Sequence, residues 1–89
     1  MIERRVVLSN RLGLHARAAS KLVQTASGFR AETWLTREGR RVNAKSIMGV
    51  LLLAAPCGSE LTVEVEGPDE ALALQAVEAL INDRFGEDA

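Results

Sequence analysis

The stretch Gly13-Leu14-His15-Ala16-Arg17-Ala18-Ala19 holds the residue types best suited to chemistry, including the only histidine of this 89-residue chain. Just behind it, Ala19, Leu22, Val23 and Ala26 recur at the i, i+3, i+4, i+7 spacing of one helical face, which predicts a helix over residues 16–27. Gly28 is the expected left-handed residue closing that helix. His15 then falls at or beside the N-cap, where the first backbone N–H groups lack intrahelical partners and the helix dipole is positive. An anion approaching the imidazole would meet ready-made donors there. Arg17 adds a planar guanidinium, whose fork of N–H groups suits phosphate oxygens two at a time. A neutral nucleophilic ring nitrogen beside such a cradle is what a transient phosphohistidine needs. Position alone also allows a plainer role for His15, as a capping or surface residue.

Other chemistries find no support. There is no glycine-rich phosphate loop and no His/Cys/carboxylate cluster for a metal, and one histidine cannot serve a Ser-His-Asp set. No cofactor and no metal are expected, and neither is self-contained hydrolysis or kinase activity. Cys57 is the single cysteine, so an internal disulfide is impossible; in the turn-like Ala55-Pro56-Cys57-Gly58-Ser59 it reads as a bystander thiol.

The elements that must position His15 follow from periodicity and turn residues. Residues 2–8 form a charged first strand, and Ser9 to Gly13 a polar loop. Ala31, Thr33 and Leu35 alternate with Glu32, Trp34 and Thr36, Arg37-Glu38-Gly39 turns the chain, and Arg40–Asn43 returns as a short strand. Ser46 fits the N-cap of a two-turn helix from Ile47 to Leu53, stopped before Pro56. Leu61, Val63 and Val65 alternate with Glu60, Thr62, Glu64 and Glu66, a strand apolar on one face and acidic on the other. Gly67-Pro68-Asp69-Glu70 opens a last helix, with Pro68 expected at its first position. Ala73, Leu74, Val77, Leu80 and Ile81 give it an apolar stripe to about Phe85, with Gly86 closing it. The acidic tail 87–89 is expected to fray. The order is β-α-β-β-α-β-α, for which a two-layer α+β arrangement, an antiparallel sheet covered on one face by helices, is the economical solution. Residues 1–89 are read as one domain, too small for a deep catalytic cleft.

The segment around His15 resembles the active-site signature of the HPr family, the histidine-containing phosphocarriers of the bacterial phosphotransferase system and their nitrogen-related paralogues. The family pattern runs Gly, aliphatic, His, small, Arg, usually Pro, small; only Ala18 departs from it. Val42-Asn43-Ala44-Lys45-Ser46-Ile47-Met48-Gly49-Val50 is similar to the family's regulatory-serine region, and the resemblance spans essentially the whole chain. It implies an open-faced β-sandwich with strand order β1-β4-β2-β3. It implies a carrier rather than an enzyme, phosphorylated on Nδ1 of His15 by enzyme I, with phosphoenolpyruvate as ultimate donor, and relaying to enzyme IIA proteins. Arg17 would neutralise the phosphate during transfer. Ser46 would be a phosphorylation site for HPr kinase/phosphorylase, although an N-cap role alone accounts for it. Ala18 should keep the site open to partners and restore a backbone donor that proline lacks. Ser46 and His15, each at a helix start, are expected to lie close together.

Docking would use the exposed side of the first helix and the start of the second: Ala16, Ser20, Gln24, Ile47, Met48 and Leu51, with methionine adapting to different partners. Leu51 alternatively packs into the core. Eleven basic and twelve acidic residues give a net charge of −1, which argues against a general nucleic-acid binder. An RNA-binding α/β domain would want aromatics on adjacent strands, and Trp34 stands alone. The other competing reading is a regulatory HPr-like protein acting through Ser46 and the apolar patch; in this family such proteins lack the histidine. The longest apolar run, Ile47 to Cys57, is too short for a membrane span of ~20 residues, and the first residues do not resemble a secretory signal. A cytoplasmic monomer is expected.

Overall fold

Strand β4 (Glu60–Glu66) buries Leu61, Val63 and Val65 and turns its glutamates outward, so its alternation fixes which face of the sheet meets the core. In the computed structural model, which describes residues 1–89, β4 lies between β1 (Ile2–Val7) and β2 (Glu32–Arg37), antiparallel to both. The registers place Val6 opposite Leu61 and Leu35 opposite Val63. Strand β3 (Arg40–Asn43) pairs with β2 at the edge, giving the order β1-β4-β2-β3. The two-residue turn between β2 and β3 has positive φ at both Glu38 and Gly39. That is the mirror-image turn that matches strand twist, and glycine supplies half of it without strain.

Helices α1 (Ala16–Ser27), α2 (Ile47–Leu52) and α3 (Glu70–Asn82) cover the apolar face. α1 contributes Ala18, Ala19, Leu22 and Ala26, and α3 contributes Ala73, Leu74, Val77 and Ile81. The small residues of α1 let it pack closely against α2 and α3. On the outer face, the Arg41 guanidinium lies 4.2 Å from the centre of the Trp34 ring and 3.3 Å from Glu64. Trp34 is therefore already capped and offers no bare stacking platform.

Several local expectations fail. Gly28 is right-handed (φ −75°), not left-handed; its N–H and that of Phe29 instead bond to the Thr25 and Ala26 carbonyls in a tightened last turn. Pro68 precedes α3 rather than occupying its first position, and Asp69 is the N-cap. The Asp69 carboxylate caps nothing in its own helix. It accepts from the N–H groups of Arg30 (2.9 Å) and Ala31 (2.8 Å), pinning the entrance to β2. The hydrogen bond from Arg30 does most to draw its carboxyl below the usual range, and partial desolvation works against this. α3 stops at Asn82, and a 3₁₀ turn spans Arg84–Gly86 instead of a continued helix. Arg84 (φ 54°), Phe85 (φ 55°) and Gly86 (φ 77°) all lie in the left-handed region. That run turns the chain back toward the start of α1, with Phe85 fully buried as its anchor.

Candidate functional site

The loop before α1 is built to hold one side chain. Gly13 (φ 65°) lies so close to Ala55 and Pro56 that a β-carbon would collide with their backbone, so only glycine fits. The Leu14 N–H donates to the Ala55 carbonyl (2.9 Å), and the Leu14 side chain is buried beneath the site. Buried Asn10 braces the loop, its Nδ2 donating to the Gly13 carbonyl at 2.7 Å. His15 is thereby delivered to the N-cap of α1 in an extended conformation (φ −74°, ψ 176°), and its carbonyl accepts the first helical bond from Ala19.

The His15 ring makes no capping bond. The N–H groups of Ala16, Arg17 and Ala18 consequently have no backbone acceptor and remain as donors at the positive end of a three-turn helix. Arg17 is exposed and pairs with none of the chain's carboxylates. His15 is partly exposed and lines a shallow depression together with Arg11, Leu12, Arg17 and residues 87–89. Such a site can accept a tetrahedral anion without enclosing it.

The supposedly frayed tail is part of this site. Glu87 Oε2 lies 2.6 Å from His15 Nε2, and Glu87 Oε1 accepts from Asn10 Nδ2 at 3.1 Å. Lys21 Nζ donates to the Phe85 carbonyl (2.6 Å) and ties the turn to α1. The hydrogen bond from His15 does most to hold the Glu87 carboxyl below its ordinary range, desolvation opposes it, and Asn10 adds to the lowering. Asn10, Arg11, Leu12 and Glu87 are the site residues that sequence reasoning missed. For Asn10 the available signal was a polar residue between apolar Leu8 and a glycine turn; for Glu87 the local sequence held none.

Ala18 corrects another expectation. It is fully buried, so its size serves packing of α1 in the core rather than partner access. Ser46 does cap α2: its Oγ accepts from the Gly49 N–H at 3.1 Å. It does not, however, lie beside His15. Lys45 Nζ reaches the Phe29 carbonyl just past the far end of α1 (3.0 Å), while Ala55, beyond the other end of α2, bonds to Leu14. The two helices thus run antiparallel, and most of the length of α1, about 18 Å for 12 residues, separates the helix starts. Ala16, Ser20 and Gln24 follow one another at four-residue spacing along α1 and are exposed, half-buried and exposed. Ile47 and Met48 are exposed, and Leu51 is half-buried against the core. Leu12 and Leu52 add exposed apolar surface. No helix is long and apolar enough to cross a membrane.

An open four-stranded sheet under three helices, with a histidine at a helix start beside a free arginine, is the architecture of a phosphoryl-group carrier. The family model described as "PTS HPr component phosphorylation site" matches residues 2–83. The chain is 53% identical over 88 residues to the phosphocarrier protein HPr of Xylella fastidiosa, covering 99% of both. It is 41% identical over 86 residues to the phosphocarrier protein NPr of Shewanella violacea, covering 97% of this chain and 94% of that one. The crystal structure of HPr-C-His from Thermoanaerobacter tengcongensis superposes with a TM-score of 0.97 at 42% identity, covering all of both chains. The protein belongs to the HPr family.

Proposed function

We propose that this single domain, residues 1–89, is a phosphocarrier of the phosphoenolpyruvate-dependent phosphotransferase system. It takes a phosphoryl group from enzyme I onto Nδ1 of His15 and passes it to enzyme IIA proteins. The observation that carries this is the conjunction at the start of α1: an imidazole whose Nδ1 has no protein partner, three unpaired N–H groups, and the free guanidinium of Arg17. A carrier must release what it binds, so a shallow site with few donors fits better than an enclosed one. No metal, cofactor or enzymatic turnover of its own enters this scheme. A carrier that must present one face to successive partners would work as a monomer, and the same reading puts it in the cytoplasm. Incubation with enzyme I and phosphoenolpyruvate, followed by intact mass measurement, should add one phosphoryl group; an unmodified mass would reject the proposal.

Arg17→Ala retains the acceptor and slows transfer. Hydrogen bonds to a charged group contribute about 1.5–3 kcal/mol, so rates to and from partners should fall by roughly 10- to 150-fold. Rapid-quench rates equal to wild type in both directions would rule out phosphate neutralisation by Arg17.

Docking then extends from His15 along Ala16, Ser20 and Gln24 to Ile47, Met48 and Leu51, with Ser46 at its far end as a regulatory phosphorylation site for an HPr kinase/phosphorylase. Because Ser46 is remote from the ring, a charge there acts on association and not on the transfer step. Ser46→Asp should raise KM for phosphorylation by enzyme I at low salt with kcat unchanged, and the penalty should shrink as salt screens it. Its melting temperature should stay near wild type, since aspartate also caps well. A lowered kcat with normal KM would contradict this placement.

A further inference from the structure

We infer that Glu87 is a positioning residue for phosphoryl transfer: it accepts the Nε2 proton of His15, leaves Nδ1 as the bare nucleophile, and balances the charge the ring acquires on bonding phosphorus. The inference rests on His15 being the acceptor. A carboxylate can only accept a hydrogen bond, so the 2.6 Å contact places the ring proton on Nε2. Nδ1 is then the nitrogen with the lone pair, and it has no hydrogen-bond partner in the chain.

The chain spends structure on this contact. Three successive left-handed residues, two of them not glycine, turn it back after α3, and such conformations persist only where their surroundings enforce them. Buried Phe85 and the Lys21 bond to its carbonyl supply that enforcement. Both oxygens of Glu87 are engaged, one by His15 and the other by Asn10, whose amide is itself fixed on the Gly13 carbonyl. The carboxylate holds the imidazole in one tautomer, as the aspartate of a hydrolytic triad does, and Asn10 in turn orients the carboxylate. Lys21 from α1 also acts on the Glu87 carboxylate through its charge, while Arg11 and Arg17 line the same depression and pair with none of the chain's carboxylates, left to meet phosphate.

The step balances without a proton leaving. Nδ1 gives its lone pair to phosphorus, and the bond from phosphorus to the donor's leaving atom breaks, its electron pair staying on that atom. The ring keeps its Nε2 proton and becomes cationic, opposite the Glu87 carboxylate. On onward transfer the Nδ1–P bond breaks, the pair returns to Nδ1, and the neutral ring is restored with Nε2–H in place.

Proton and nitrogen NMR of the full chain, at a pH where His15 is neutral, tests the geometry without any phosphate. Wild type should show a protonated Nε2 whose hydrogen is shifted downfield and protected from exchange, with Nδ1 unprotonated. In Glu87→Ala that hydrogen should be lost to exchange while amide signals away from the tail stay in place. With enzyme I and phosphoenolpyruvate, the variant's kcat should drop about 10- to 100-fold, the range seen when partners that orient metal-bound histidines are removed, and KM should hold. Glu87→Asp should recover part of the rate. A protonated Nδ1 in wild type, an unchanged Nε2 hydrogen in Glu87→Ala, or a variant transferring as fast as wild type or faster would each overturn the inference. If wild type accepts no phosphate at all, the carrier reading itself fails and takes this role with it; if only the variant comparison is flat, the carrier stands and Glu87 is merely structural.

Discussion

Replacing His15 with alanine should eliminate phosphate acceptance and leave the fold intact. The chain contains no second imidazole, and no other side chain places a neutral nitrogen against unpaired N–H groups and a free guanidinium. The structural cost is small because the ring takes no part in capping: the first helical bond comes from the His15 carbonyl, which alanine also has. What is lost locally is the contact to Glu87, which lies at the surface end of the turn, while the anchor beneath it, Phe85, stays buried. Phosphate bound through nitrogen is labile in acid and stable in base, so the variant incubated with enzyme I and phosphoenolpyruvate should carry none with that signature. Its melting transition should stay within a few degrees of wild type. Acid-labile phosphate on the variant would require a different acceptor and would overturn the assignment of the site.

The parts of the fold that could be read directly are those in which the signal and its cause are close in sequence. Leu61, Val63 and Val65 declare β4 because side chains alternate along a strand whatever lies above it. Glu38-Gly39 marks a turn because both residues need positive φ, and Ser46 caps because the N–H it serves is three residues away. His15 and Arg17 belong to the same class: their helix start is visible in the apolar spacing that follows it. Asp69 shows where such reading stops. As an acid opening a helix it looks like a cap, yet its oxygens serve Arg30 and Ala31, nearly forty residues back.

Glu87 was hidden for the same reason, at greater separation. An acidic residue near the end of a sequence carries no local sign that it will meet a histidine 72 positions earlier. The only hints were the breaks in local rule around it. Arg84 and Phe85 adopt backbone angles that side chains rarely take, and a pattern of apolar positions cannot forecast those. The separation of Ser46 from His15 was equally illegible, because two helix starts say nothing of whether their helices run parallel or antiparallel. The Lys45–Phe29 and Leu14–Ala55 bonds decide it.

Phe85→Ala should be the most destabilising single change near the site and should disable it as well. The ring is fully buried in the core, alongside α1 and α3 residues, and truncating such a side chain costs about 3–5 kcal/mol through lost burial and the cavity left behind. A domain of 89 residues has only about 4–13 kcal/mol of total stability, at roughly 0.05–0.15 kcal/mol per residue. The variant therefore sits near the edge of folding at 37 °C, and its denaturant midpoint should fall by a large fraction. The left-handed backbone at position 85 makes the loss worse, since alanine keeps the β-carbon that disfavours φ of 55° while giving up the ring that held it there. Without the anchor, nothing compels residues 84–86 to turn toward α1, and the Lys21 bond to the Phe85 carbonyl alone cannot hold them. Glu87 should leave His15, so the protected Nε2 hydrogen should vanish even at low temperature, where the variant is fully folded. Transfer should then slow to the rate of Glu87→Ala and no further, because both substitutions remove the same contact. Urea titration, the ring-proton spectrum and single-turnover phosphorylation of one sample measure all three. A midpoint shift worth less than about 1 kcal/mol would mean that Phe85 fills no essential space, against the cavity cost expected of a buried ring. A folded variant that keeps its Nε2 hydrogen would mean that the tail finds His15 without the anchor.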